Sequence, residues 1–109
     1  MTVKALAEQL GCKTVCLPYP DKEIDGAYVG DLLSWVMGNA EQGNVWITIM
    51  SNINTVAVAT LVDASCILLC EDVTPDGDVV EVARSKSVNI LTTSLSSYRA
   101  AIALSEILK

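Results

Sequence analysis

Residues 44–70 read NVWITIMSNINTVAVATLVDASCILLC, and this stretch decides the fold. VWITIM is rich in β-branched and aromatic residues, and CILLC is wholly apolar between polar neighbours. Each suits a short strand buried on both faces. Between them, TVAVATLVDA is long enough for about three helical turns. Asn52 or Asn54 can open that helix, because a short amide oxygen accepts from the free N–H groups of a first turn. Strand, helix and strand in this order form a crossover unit, which joins parallel strands.

Working outward, the alternation continues on both sides. TPDGD reads as a helix start, with Thr74 as cap, Pro75 at the first helical position and acids in the first turn. That helix runs through VVEVARSK. NILTT follows as a strand, and LSSYRAAIALSEILK closes the chain as an amphipathic helix that begins near Leu95 or Ser96. Upstream, Thr2 caps VKALAEQL, and Gly11 stops it. KTVCL is a short strand, PYPDKE a turn-rich connection and IDGAYVG a further strand. Asp31 can cap the short helix LLSWVM, which Gly38 and Asn39 end. The expectation is one α/β domain over residues 1–109. It is a layered sandwich with a mostly parallel sheet of about five strands and helices on both faces.

Composition narrows the function. Of the 109 residues 51% are hydrophobic and 18% charged, which fits a packed domain rather than a disordered chain. The apolar runs are far shorter than the roughly 20 residues of a membrane span. MTVKALAEQL reads as an amphipathic helix rather than a leader, so a cytoplasmic location is expected. The net charge is -6, and six acids with no base occupy 63–81. That is the wrong sign for nucleic acid or an anionic membrane. Histidine is absent, which removes the commonest general base and metal ligand.

All four cysteines lie in two echoes, CKTVC (Cys12, Cys16) and CILLC (Cys66, Cys70). On a strand, residues i and i+4 share a face but stand about 13 Å apart. Zinc needs both sulfurs at about 2.3 Å. The spacing therefore favours small buried hydrophobes over ligands, and neither metal nor cofactor is expected. Cys12, just past Gly11, is expected to be the accessible thiol. No nucleophile elbow, Walker loop or dinucleotide fingerprint is present, so no catalytic residues are assigned. The acids of EDVTPDGD do not have the spacing of a calcium loop.

Two polar clusters stand at strand-to-helix switches: Ser51, Asn52 and Asn54 after VWITIM, and Thr92, Thr93 and Ser94 after NILTT. In open parallel sheets, ligands bind at the carboxyl ends of strands, where helix N-termini offer free N–H groups. These six residues, with Asp31 as a neighbour, are the candidate ligand-binding set. Ordinary caps and turns would place the same residue types there.

IDGAYVGDLLSWVMGN and the run from NVWITIM to LTTSLSSY resemble the DRTGG domain family. Such domains are similar to the N-terminal domain of HPr kinase/phosphorylases, and they occur fused to CBS domains in regulatory pyrophosphatases and to phosphotransacetylases. The resemblance spans nearly the whole chain. It implies a non-catalytic regulatory or sensory role, a small ligand such as a nucleotide or phosphate compound, and pairing into homodimers. The family's Asp-Arg falls on 51–54, which read SNIN here, and its Thr-Gly-Gly on 70–72, which read CED. A homodimerising protein-interaction module without a metabolite is the alternative, and a thiol or iron-sulfur redox protein a third. Trp35, Val36, Met37 and Trp46 are the apolar residues expected to exceed what one core absorbs.

Overall fold

The computed structural model describes residues 1–108. Along them run α1 (Val3–Leu10), β1 (Lys13–Cys16), β2 (Ala27–Val29), α2 (Leu33–Asn39), β3 (Val45–Thr48), α3 (Ile53–Val62), β4 (Cys66–Leu69), α4 (Gly77–Ser85), β5 (Ile90–Thr92) and α5 (Ser97–Ile107). The strands form one sheet in the order β1-β5-β4-β3-β2. β2 to β5 are parallel to their neighbours, and β1 runs antiparallel against β5. The architecture is the mostly parallel five-stranded sandwich that the alternation of elements implies.

The side on which each helix lies follows from chirality. β2, β3, β4 and β5 are adjacent in sheet order, so their three crossovers all progress the same way. Right-handed connections then put α2, α3 and α4 on one face. They cover a core of Val36, Trp46, Val56, Ile67, Leu69 and Ile90. α1 and α5 cover the other face over Leu6, Ile47, Leu68, Leu91 and Leu104. β3 and β4 are buried along their whole length. Each large aliphatic side chain so enclosed contributes roughly 1.5–3 kcal/mol.

Most helix starts are the ones the sequence marks. Thr2 accepts from the Ala5 amide, Asn52 from Thr55 and Ser96 from Arg99. Two starts differ. α2 begins after Leu32 with no side-chain cap. Asp31 Oδ1 instead accepts from Thr48 Oγ1 at 2.8 Å and from the Ile49 amide at 3.0 Å. The hydroxyl of fully buried Thr48 has more to lose without a partner than a helix end open to water. α4 begins after Asp76, so Thr74 and Pro75 lie in the preceding loop. That loop is tied to the neighbouring strand: Asp72 donates its amide to Thr93 O, and Val73 O accepts from Thr92 Oγ1.

All four cysteines are free thiols, with Cys16, Cys66 and Cys70 buried and Cys12 partly buried. Cys16 packs in one core and Cys66 and Cys70 in the other, with Cys12 against the latter. Cys12 is thus the most accessible of the four, as the sequence leads one to expect, although it is only partly open to solvent. Burial, with a smaller contribution from nearby Cys70, pushes the Cys12 thiol up to about 11. Of the four apolar residues expected in excess, Val36 and Trp46 are fully enclosed, while Trp35 and Met37 remain 65% and 46% exposed. Trp46 Nε1 donates to Gly30 O at 2.8 Å, which fixes β2 over β3.

Candidate functional site

Because β3 and β4 are parallel neighbours, α3 and α4 both start at the same edge of the sheet and on the same face. Their first turns face each other across an open cavity of about 400 Å³. Its lining comprises Ser51, Asn52, Ile53 and Asn54 from one side, and Thr74, Asp76, Asp78 and Val79 from the other. Asn52 Oδ1 is committed to capping Thr55 at 3.1 Å. Asn54, Thr74, Asp76 and Asp78 are exposed to solvent, whereas Val79 is buried and forms an apolar floor.

The structure brings Ser51, Asn52 and Asn54 together, but it completes their cavity with the β4–α4 connection rather than with Thr92, Thr93 and Ser94. The reason is topological. α5, which follows β5, crosses to the opposite face of the sheet, so the chain turns away from α3 at residue 93. Local hydrogen bonds also use the two threonine hydroxyls. Thr92 Oγ1 donates to Val73 O at 2.9 Å, and Thr93 Oγ1 accepts from the Leu95 amide at 3.2 Å. Asp31 lies on the β2 side of the sheet. There it borders a separate hollow of about 440 Å³ with Tyr28, Val29, Gly30, Leu32 and Trp35.

Sequence reasoning did not include Thr74, Asp76 and Asp78 in the site. The signal was present in TPDGD, a third polar cluster at a strand-to-helix switch, but it read as a cap. A further feature lies between the two halves of the rim. Glu71 and Asp72 adopt φ of 60° and 59° in succession. Non-glycine residues enter this left-handed region at a cost of roughly 1–2 kcal/mol each. These are the positions on which the resemblance in sequence places paired glycines, the residue type that adopts this conformation without strain.

The chemistry of the cavity is that of hydrogen bonding. Asp76 and Asp78 supply negative charge and acceptors, Asn52 Nδ2 a donor, and Ser51 and Thr74 hydroxyls of either sense. Helix N-termini oppose some of the carboxylate charge, each equivalent to about half a unit. The arrangement suits a neutral or amine- and hydroxyl-bearing ligand better than a bare phosphate. Burial raises the pKa of the Cys16, Cys66 and Cys70 thiols, which leaves them protonated and poor nucleophiles. Among the described residues no three His, Cys, Asp or Glu side chains converge to hold a metal ion. No helix among them is long and apolar enough to cross a membrane.

Neither a family model nor a curated protein matches the sequence. A solved structure does resemble it: the CBS and DRTGG domains of the regulatory region of Clostridium perfringens pyrophosphatase, in complex with its activator, diadenosine tetraphosphate. The TM-score is 0.76 at 13% identity, and the match covers 94% of this chain and 45% of the pyrophosphatase fragment. The chain therefore spans less than half the length of that structure. Sheet order, layering and this likeness agree with the resemblance in sequence, and in fold the chain is a DRTGG-like domain.

Proposed function

We propose that this chain is a non-catalytic regulatory domain that senses a small ligand in the cavity between the first turns of α3 and α4. The observation that carries the reading is the cavity itself: about 400 Å³, at the carboxyl edge of a parallel sheet, lined by side chains able to donate and accept hydrogen bonds. The pyrophosphatase fragment of similar fold belongs to a regulatory region and was solved with a dinucleotide activator. That supports a regulatory role and makes a nucleotide the first ligand to test. Asp76 and Asp78 accept from an exocyclic amine or ribose hydroxyls, and Val79 packs against an apolar ring face. A phosphate chain points out toward solvent or carries Mg²⁺ to offset the two carboxylates.

Thermal unfolding with adenosine, AMP and ATP, with and without Mg²⁺, tests this. A ligand at 100 times its dissociation constant stabilises the fold by about 2.7 kcal/mol. Asp78→Asn combined with Asn54→Ala removes that gain and leaves the unliganded melting temperature nearly unchanged, because both side chains are exposed. Asn52 is unsuitable for this purpose, because its loss as a helix cap alone costs about 1 kcal/mol. An equal gain in the double variant would place the site elsewhere.

A second reading, a homodimerising module, is favoured by one specific observation: Leu32 and Trp35, at the start of α2, are each 65% exposed. The cytoplasm is the compartment in which four free thiols persist.

A further inference from the structure

We infer that the outer face of α2 and α3 is where a second copy of this chain docks, with α3 lying antiparallel to its symmetry mate across Ala57. The inference rests on the homodimer reading and assigns the surface that reading needs.

The starting point is the sequence of α3, INTVAVATLV. It has no polar face of the kind that a surface helix normally shows. Such a helix belongs in an interior. Yet α3 is the middle helix of its layer and covers the core with one side only. Val56 and Ala59 are buried, while Ile53 and Leu61 stand 46% and 69% exposed. Ala57, also exposed, lies between them. Positions 53, 57 and 61 are four apart and form one ridge along the helix. The ridge has a small residue at its centre and a large aliphatic one at each end. Turned about a two-fold axis through Ala57, it sets Ile53 of one copy beside Leu61 of the other, twice. The self-complementary contact of an isologous dimer has this form. α2 packs beside α3 and extends the apolar surface with Trp35 and Met37.

Charge selects the occupant. The chain carries a net -6, so two copies repel wherever their acids meet. Residues 32–40 and 52–62 contain no charged side chain, although Asp31 and Glu41 flank the first run and Asp63 the second. A basic partner would be drawn to the acid-rich stretch 63–81, not to a neutral face. A surface stripped of charge and bordered by acids suits an equally acidic mate, with an apolar centre and a polar rim.

The experiment is sedimentation equilibrium of the full chain at tens of micromolar, repeated with Leu61→Glu. A second arm treats Ala57→Cys with a short bismaleimide, with the unaltered chain and Ser105→Cys on α5 as blanks. The expected result is a mass of twice 11.6 kDa. Leu61→Glu weakens the dimer at least tenfold with an unchanged circular dichroism spectrum, and Ala57→Cys alone yields a covalent dimer. A dimer that is indifferent to Leu61→Glu and gives no cross-link at position 57 overturns this surface and leaves pairing intact. A monomeric unaltered chain overturns both.

Discussion

Glu71 and Asp72 show at the scale of single residues how much a position can constrain the backbone without naming its residue. Both are exposed and left-handed, and their amides are held by Leu95 O and Thr93 O. The conformation is imposed by those hydrogen bonds at the end of the central strand β4, so the sequence CED gives no sign of it. Glu71→Gly relieves the strain and raises stability by about 0.5–1 kcal/mol in urea unfolding, after allowance for the greater entropy of an unfolded glycine. Glu71→Val lowers it. The thiols give a pH dependence. Burial raises all four above the ordinary 9.0, Cys12 to about 11. Above pH 9 the unfolded chain releases thiol protons that the folded chain keeps, so stability is present in full below that pH and is lost as pH rises toward and through 11. The urea midpoint is therefore level from pH 7 to 8 and falls between pH 9 and 11, and replacing Cys12 with Ala makes that fall shallower.

Between elements, the decisive side chain is Asn89, which a sequence reading passes over as the first residue of a strand. It is 1% exposed. Its Nδ2 donates to Tyr19 O at 2.7 Å and to Ser65 O at 3.0 Å, and its Oδ1 accepts from the Tyr19 amide at 2.9 Å. One amide thus binds the connection after β1 to the starts of β4 and β5. Asn89→Ala removes three hydrogen bonds to backbone groups, leaving Tyr19 O only its longer bond from the Lys22 amide at 3.3 Å, and costs about 2–4 kcal/mol, measurable as a lower urea midpoint with an unchanged slope. The elements themselves were legible in the sequence. Apolar strands four residues long, regular alternation and short caps such as Thr2, Asn52 and Ser96 act locally. Asp31 and Thr74 were misread as caps for tertiary reasons: Asp31 serves the buried Thr48 hydroxyl, and Thr74 precedes the helix start in a loop whose neighbouring residue Val73 is bonded to β5. Such competition lies across the sheet and leaves no trace in local spacing.

At the scale of the whole molecule, half of the candidate site was readable and half was not. Ser51, Asn52 and Asn54 announce a strand end followed by a helix, which any sequence window reveals. Their counterpart depends on which strand lies next to β3 and on which face the next helix takes. The order β1-β5-β4-β3-β2 places Thr74, Asp76 and Asp78 opposite, while the return of α5 to the other face withdraws Thr92, Thr93 and Ser94. Strand order arises from long-range packing, so the polar rim was visible and its pairing was not. The central claim, a ligand-sensing cavity between α3 and α4, is tested most directly by amide chemical-shift mapping of the ¹⁵N-labelled chain titrated with adenosine and with AMP plus Mg²⁺. The account predicts saturable shifts concentrated at residues 51–54 and 74–79, with 92–94 and 31 little changed. Saturable shifts centred elsewhere, or none with any nucleotide at millimolar concentration, would contradict it.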